Sequence, residues 1–179
     1  MNTTVFYGLI LAAGNIVLTL VGFFVGYQTD KMAEGRWFGF LPLVLGIVVT
    51  WLGLKAVREE AKDKSLSYGK GVGSGVLIHL YAGVLGSIYG FIHFTFINPN
   101  FVDYMMDAAR QKWVQAGISD ARMEGMEKGM RFMFSPAMMS IWGIILAVLF
   151  GLVVALVVSA FLKRAPPAAF DDAPPAVAP

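Results

Sequence analysis

The stretch from Gly69 to Ile97, GKGVGSGVLIHLYAGVLGSIYGFIHFTFI, restricts the fold more than any other part of the chain. It is apolar along its length, yet it carries both histidines and seven of the twenty glycines. At helical spacing Gly75, His79, Gly83, Gly86, Gly90 and His93 advance by 4, 4, 3, 4 and 3 residues, so they share one face. In water such a helix is poor, because each glycine costs about 1 kcal/mol against alanine. In lipid the backbone must hydrogen-bond to itself in any case, and a glycine seam lets a second helix approach closely. The seam from Gly75 to Gly90 is therefore expected to pack against another span.

Composition agrees with a membrane setting. Of 179 residues 57% are hydrophobic and only 15% are charged, against about a quarter in soluble domains. The mean hydropathy is +0.66. The absence of cysteine excludes disulfides, thiolate metal sites and cysteine nucleophiles. A net charge of +2, scattered over loops, gives no basic face for nucleic acid.

Three further apolar runs are long enough to cross a hydrocarbon core of about 30 Å. With the central one, the expected spans are 4–27, 38–57, 72–97 and 136–162. The first is read as an uncleaved anchor, since Met-Asn-Thr-Thr lacks the basic start of a secretory signal. Each span has a stripe of small residues, with Gly22 and Gly26 in the first and Gly143 and Gly151 in the fourth. Four such stripes predict an all-α integral membrane protein, a four-helix transmembrane bundle over residues 1–164. Residues 165–179, rich in proline and alanine, are expected to form a disordered tail. In the stretch 55–70 a helical extension of the second span is expected, with Arg58, Glu59, Lys62 and Asp63 pairing along it.

Asn98-Pro99-Asn100 ends the third span. Residues 100–134 then divide around Gly117 into two amphipathic helices, the second capped by Ser119. One has Trp113 on its apolar side. The other has Met123, Met126, Met130 and Met133 in steps of 3, 4 and 3. Methionine-rich faces adapt to partners, so these five residues are the candidate partner surface.

An even number of spans puts both termini and the 55–70 loop on one side. Seven basic residues fall on that side and seven on the other. The termini are expected in the cytoplasm, because the basic residues at 55–70 and 163–164 crowd against span ends.

The order of features, KAVREEAKDKSLSYGKG, a glycine-rich span ending FIHFTFINPNF, an amphipathic insert, and Ser-Pro into a last span ending AFLKR, resembles family 4199 of the domains of unknown function. These are small bacterial four-span membrane proteins, and the likeness covers roughly residues 4–164. The resemblance implies a location in the bacterial cytoplasmic (inner) membrane. It implies no activity and no catalytic residues.

His79, His93 and Asn15 are the candidate buried polar site. Ionisable groups within a span are functional candidates. They are also commonly interhelical hydrogen-bonding groups. Thirteen residues separate the histidines, as in helices that ligate two stacked haems, but a second pair would have to come from a symmetric dimer. The methionine stripe admits copper(I), a soft ion. Haem and copper are remote alternatives: no metal site, cofactor or catalytic residue is expected. The leading expectation is a non-enzymatic assembly or accessory subunit, as a homo-oligomer or with other membrane-protein subunits in the bilayer. The alternative is an oligomeric transporter or channel for a small solute or ion.

Overall fold

The computed structural model describes residues 2–166. Six α-helices follow one another: α1 (Thr3–Phe24), α2 (Leu41–Glu60), α3 (Tyr68–Ile92), α4 (Phe101–Gln115), α5 (Asp120–Met133) and α6 (Pro136–Leu162). A 3-10 run, Glu34–Phe40, leads into α2, and a π-helical turn, His93–Ile97, prolongs α3. Among the described residues there is no strand. The fold is all-α, with four helices long and apolar enough to cross a membrane and the α4–α5 hairpin between the third and fourth. Of the expected tail only Ala165 and Pro166 lie within the described residues.

Glycine sets two of the boundaries. Gly26 has φ +92° and Gly117 has φ +70°. In each case the amide three residues past the last helical residue returns to the third carbonyl from that end, Tyr27 N to Gly22 O at 2.8 Å and Ile118 N to Trp113 O at 3.0 Å. Both are αL helix stops, a conformation that glycine adopts without a Cβ penalty. Gly26 thus ends α1 and does not belong to its seam. At the other end of the molecule α2 stops at Glu60, so Lys62 and Asp63 lie beyond the helix and the expected pairing along it does not form. Glu59 instead takes Arg58 at 3.1 Å and Lys64 at 4.0 Å. Asp63 accepts from Ser65 N at 3.1 Å, and its hydrogen bonds to Ser65 hold its carboxyl below the usual carboxylate range.

Helix α3 is the hub. It touches α1, α2 and α6, most extensively α6. The α3–α6 contact is a ladder in which Gly71 faces Ser159, Gly75 faces Ala155, His79 lies over Gly151, Gly83 faces Ala147 and Ser87 faces Gly143. Both helices advance by four residues per rung, in opposite directions. A methyl group added at Gly75 would lie 2.5 Å from Ala155 Cβ, and one at Gly83 would lie 3.0 Å from Ala147 Cβ. Of the other two helices, α1 reaches the far end of α3 through Phe23 at His93, and both close on α3 around Ile78 and Tyr81. There Gly8 backs onto Tyr81 and Gly53 onto Ile78, each leaving no room for a Cβ. Two apolar clusters fill this half, Leu54, Val57, Leu66, Val154, Val158 and Leu162 in one, Leu11, Ala12, Val49, Ile78 and Ala82 in the other. The end is tied by paired backbone bonds between Leu66 and Arg164, each 3.0 Å, and by the Thr3 hydroxyl on Glu60.

Towards the opposite end the helices part. Gly86 and Gly90 have no neighbouring atom within 4 Å of where a Cβ would stand. The expectation that the whole stripe from Gly75 to Gly90 packs on another span therefore fails in its second half, at Gly86 and Gly90.

In the insert, α4 and α5 pack on each other, with Met106 and Met123 their buried residues. Arg110 pairs with Glu127 at 2.8 Å, and Arg131 spans Asp103 at 2.6 Å and Glu127 at 3.0 Å. These hydrogen bonds, that to Asp103 first, raise the Arg131 pKa further. Ser119 has the extended backbone of a cap, but its side chain makes no capping bond. The methionine stripe is not the outer face: Met123 is 7% exposed, Met126, Met130 and Trp113 are half-buried, and of the five only Met133, at 54%, is exposed. Of the stripe only Met123 is buried within the hairpin.

Leucine at Gly75 must displace Ala155 and should lower unfolding stability in detergent by about 1–3 kcal/mol. Leucine at Gly86 enters open space and should leave stability unchanged or slightly higher. Equal losses in the two variants, measured by thermal unfolding in one detergent, would contradict the parting of the helices.

Candidate functional site

Where the four long helices part they leave a half-open cavity of about 670 Å³. It runs from His79 to Phe94 along α3, which at 1.5 Å per residue is about 22 Å. Its walls are Leu11, Asn15 and Thr19 from α1, Pro42, Leu43 and Gly46 from α2, and Ser140, Leu146 and Phe150 from α6. The floor along α3 includes Gly86 and Gly90, so the second half of the glycine seam borders empty space.

His79 closes the deep end. Its ring lies across Gly151, with Phe150 edge-on at 5.5 Å. Gly46 faces the ring from α2 and Gly151 from α6, and side chains at either would push it out. The Thr50 hydroxyl donates to Gly46 O at 2.7 Å. Its one proton is thus committed, so His79 Nε2, 2.9 Å from Thr50 Oγ1, must be the donor of that pair. His79 is then the neutral Nε2–H tautomer, with Nδ1 an acceptor that has no hydrogen-bond partner among the described residues.

His93, fully buried, sits past the other end of the cavity and is held on both nitrogens. Gln28 Nε2 donates to Thr19 O at 2.8 Å, which fixes the amide so that Oε1 faces His93. His93 Nε2 therefore donates to Gln28 Oε1 at 2.9 Å, and Nδ1 accepts from the Tyr89 hydroxyl at 3.1 Å. The π-helical turn, closed by Asn98 N to His93 O at 2.8 Å, carries buried Asn98 back to Gln28 O at 3.3 Å. The helix register is adjusted to tie α3 to the turn after α1. Phe23 and Phe94 pack edge-on against the imidazole at 5.6 and 4.9 Å.

The residues singled out in the sequence are thus divided. His79 and Asn15 border the cavity together with Gly83, Gly86, Gly90 and Gly143. His93 belongs to a network that satisfies both its nitrogens and meets the cavity border at Thr19 and Tyr89. Gly22 stands beside Gln28 and the ring of Phe38, and Gly26 lies in the turn beyond. Asn15 Oδ1 is buried without a hydrogen-bond partner, so the amide does not bond a neighbouring helix as expected. Three participants went unnoticed as site residues: Thr50, Gln28 and Tyr89. Only Tyr89, four residues before His93 on the same helix face, had a local signal.

Axial haem ligation would require His93, held on both nitrogens, to give up a partner, and the two imidazoles lie about 21 Å apart along α3. A soft copper site would need converging thioethers, whereas Met123 is buried in the hairpin and Met133 points outward. Among the described residues no three His, Asp or Glu side chains converge on a point. The cavity border holds a neutral imidazole, an amide, hydroxyls and apolar groups, an arrangement suited to hydrogen bonding and apolar contact.

Gln28→Leu should strand the His93 Nε2–H and cost about 1–3 kcal/mol in detergent unfolding. Gln115→Leu, on the exposed surface of α4, should shift it by less than about 0.5 kcal/mol. If Gln28→Leu behaves like the surface change, the network does not hold His93.

No curated protein and no solved structure matches the chain. A family model described as "Protein of unknown function (DUF4199)" matches residues 6–164. Nearly the whole of the bundle and all of the insert lie within that match, and the chain belongs to the DUF4199 family.

Proposed function

We propose that the chain is a multi-pass protein of the bacterial inner membrane, with its termini in the cytoplasm, acting without catalysis as an accessory or assembly subunit, in a homo-oligomer or beside other membrane-protein subunits. The observation that carries this reading is an apolar surface that the fold leaves uncovered where the insert joins the bundle. Phe132 is 69% and Met133 54% exposed, whereas Met123 is buried and Met126 and Met130 are half-buried. In a lone hairpin these two side chains would face water or headgroups, and exposed apolar patches mark contact sites. The non-enzymatic part is supported by the uncharged cavity border.

A second reading, passage of a small solute or ion through an oligomer, is favoured by the polar string Asn15, Thr19, Gln28, His93 and Tyr89 leading from the cavity towards the turn after α1. Proteoliposomes holding the purified chain test it: solute-selective flux that Gln28→Leu abolishes would favour passage over the subunit role.

Phe132→Ser with Met133→Ser should release co-purifying subunits in mild detergent, or lower the oligomer mass, while the spans remain inserted. Companions retained in full would remove the support for this surface. For orientation, a cysteine at Ser119 should react with an impermeant thiol reagent in intact cells and one at Lys62 should be protected. The reverse labelling would place the termini outside.

A further inference from the structure

We propose that the cavity between α1, α2, α3 and α6 is a binding site for one neutral, single-chain amphiphile whose head group donates a hydrogen bond, a long-chain alcohol being the simplest member of the class. Four independent features set this chemistry.

The first is size. A volume of about 670 Å³ lies in the range of about 300–1,000 Å³ of small-ligand sites, and its length of about 22 Å along α3 suits an extended hydrocarbon chain.

The second is the floor. Gly86 and Gly90 leave open space where side chains would fill the cavity, while Gly75 and Gly83 on the same face are pressed against α6. The third is charge. Asp, Glu, Lys and Arg are all missing from the residues that border the cavity, so a carboxylate or phosphate head would find no counter-charge. The fourth is hydrogen bonding. Asn15 Oδ1 is a buried acceptor without a partner, and the tautomer fixed by Thr50 leaves His79 Nδ1 an unpaired acceptor on a residue of the cavity border. An acceptor left unpaired among apolar groups is costly, and a hydroxyl supplies the missing donor. The cavity reaches Pro42, Phe94 and Met139 at its outer end, where an amphiphile would come from the adjoining leaflet. This site is separate from Phe132 and Met133, so it can fail while the subunit reading stands, and the reverse.

The test uses the full chain in mild detergent and hexadecanol carrying a mid-chain diazirine, photolysed and mapped by peptide mass spectrometry. The expected result is one saturable adduct per chain, located between Gly83 and Phe94 or between Met139 and Phe150, and competed by unlabelled hexadecanol. Palmitate and a diacyl phospholipid should compete at least about tenfold less well. Gly86→Leu should lower labelling by about tenfold or more with its unfolding temperature kept, by filling the space. Asn15→Leu, read independently, should weaken competition by hexadecanol about tenfold while leaving competition by hexadecane unchanged. Adducts scattered over lipid-facing Val44, Leu52 and Val157, insensitive to Gly86→Leu, would overturn the site. Equal competition by palmitate, or by the diacyl lipid, would overturn the neutral single-chain ligand.

Discussion

The ladder between α3 and α6 is the contact on which the rest of the molecule hangs. In every rung one member is glycine, and the other is serine, alanine or the imidazole of His79. Water offers no help in joining helices whose outer faces prefer lipid, so the attraction is dispersion between backbones brought close together. Close approach of α6 leaves α3 with its remaining faces for α1 and α2. These meet it firmly at Gly8 and Gly53 and leave open space at Gly86 and Gly90, before Phe23 of α1 meets it again at His93. A bundle tight at one level and parted at the next follows from which glycines have an opposing atom.

The same geometry sorts the polar groups. At the tight level His79 is wedged among Gly46, Gly151, Phe150 and Thr50, and one hydroxyl proton decides its tautomer. At the far end the bundle has parted, and polar side chains take over the work of holding helices together. Gln28 and Asn98 link the turn after α1 to the end of α3 through His93, and a π-helical turn supplies the needed register. Between these two levels lies the cavity, where Asn15 has an acceptor with nothing to accept from.

Much of this was legible in the sequence, and the reasons for the rest are physical. Steps of three and four showed the faces of α3 and α6, because helical period encodes direction around the axis. Period says nothing of distance to a neighbour, so Gly75 and Gly86 read alike although one is crowded and the other open. Gly26 read as part of a seam because the apolar run continues through Tyr27, while Gly117 read correctly as a break because its surroundings are polar. Both take the same αL stop. The methionine stripe showed a face without showing that only Met123 would be buried within the hairpin. Gln28 could not be foreseen as the partner of His93, since the pair is 65 residues apart and no local pattern joins them. The family match adds location of the domain along the chain, residues 6–164, and no chemistry.

The parting of the helices is most directly measured by nuclear Overhauser contacts in isotope-labelled protein in lipid nanodiscs. Gly75 and Gly83 Hα should show cross-peaks to the methyls of Ala155 and Ala147. Gly86 and Gly90 Hα should show them only to acyl-chain protons or a bound ligand. Cross-peaks from Gly86 or Gly90 to side chains of α1 or α2 would mean that the bundle is closed along its whole length and that no cavity exists.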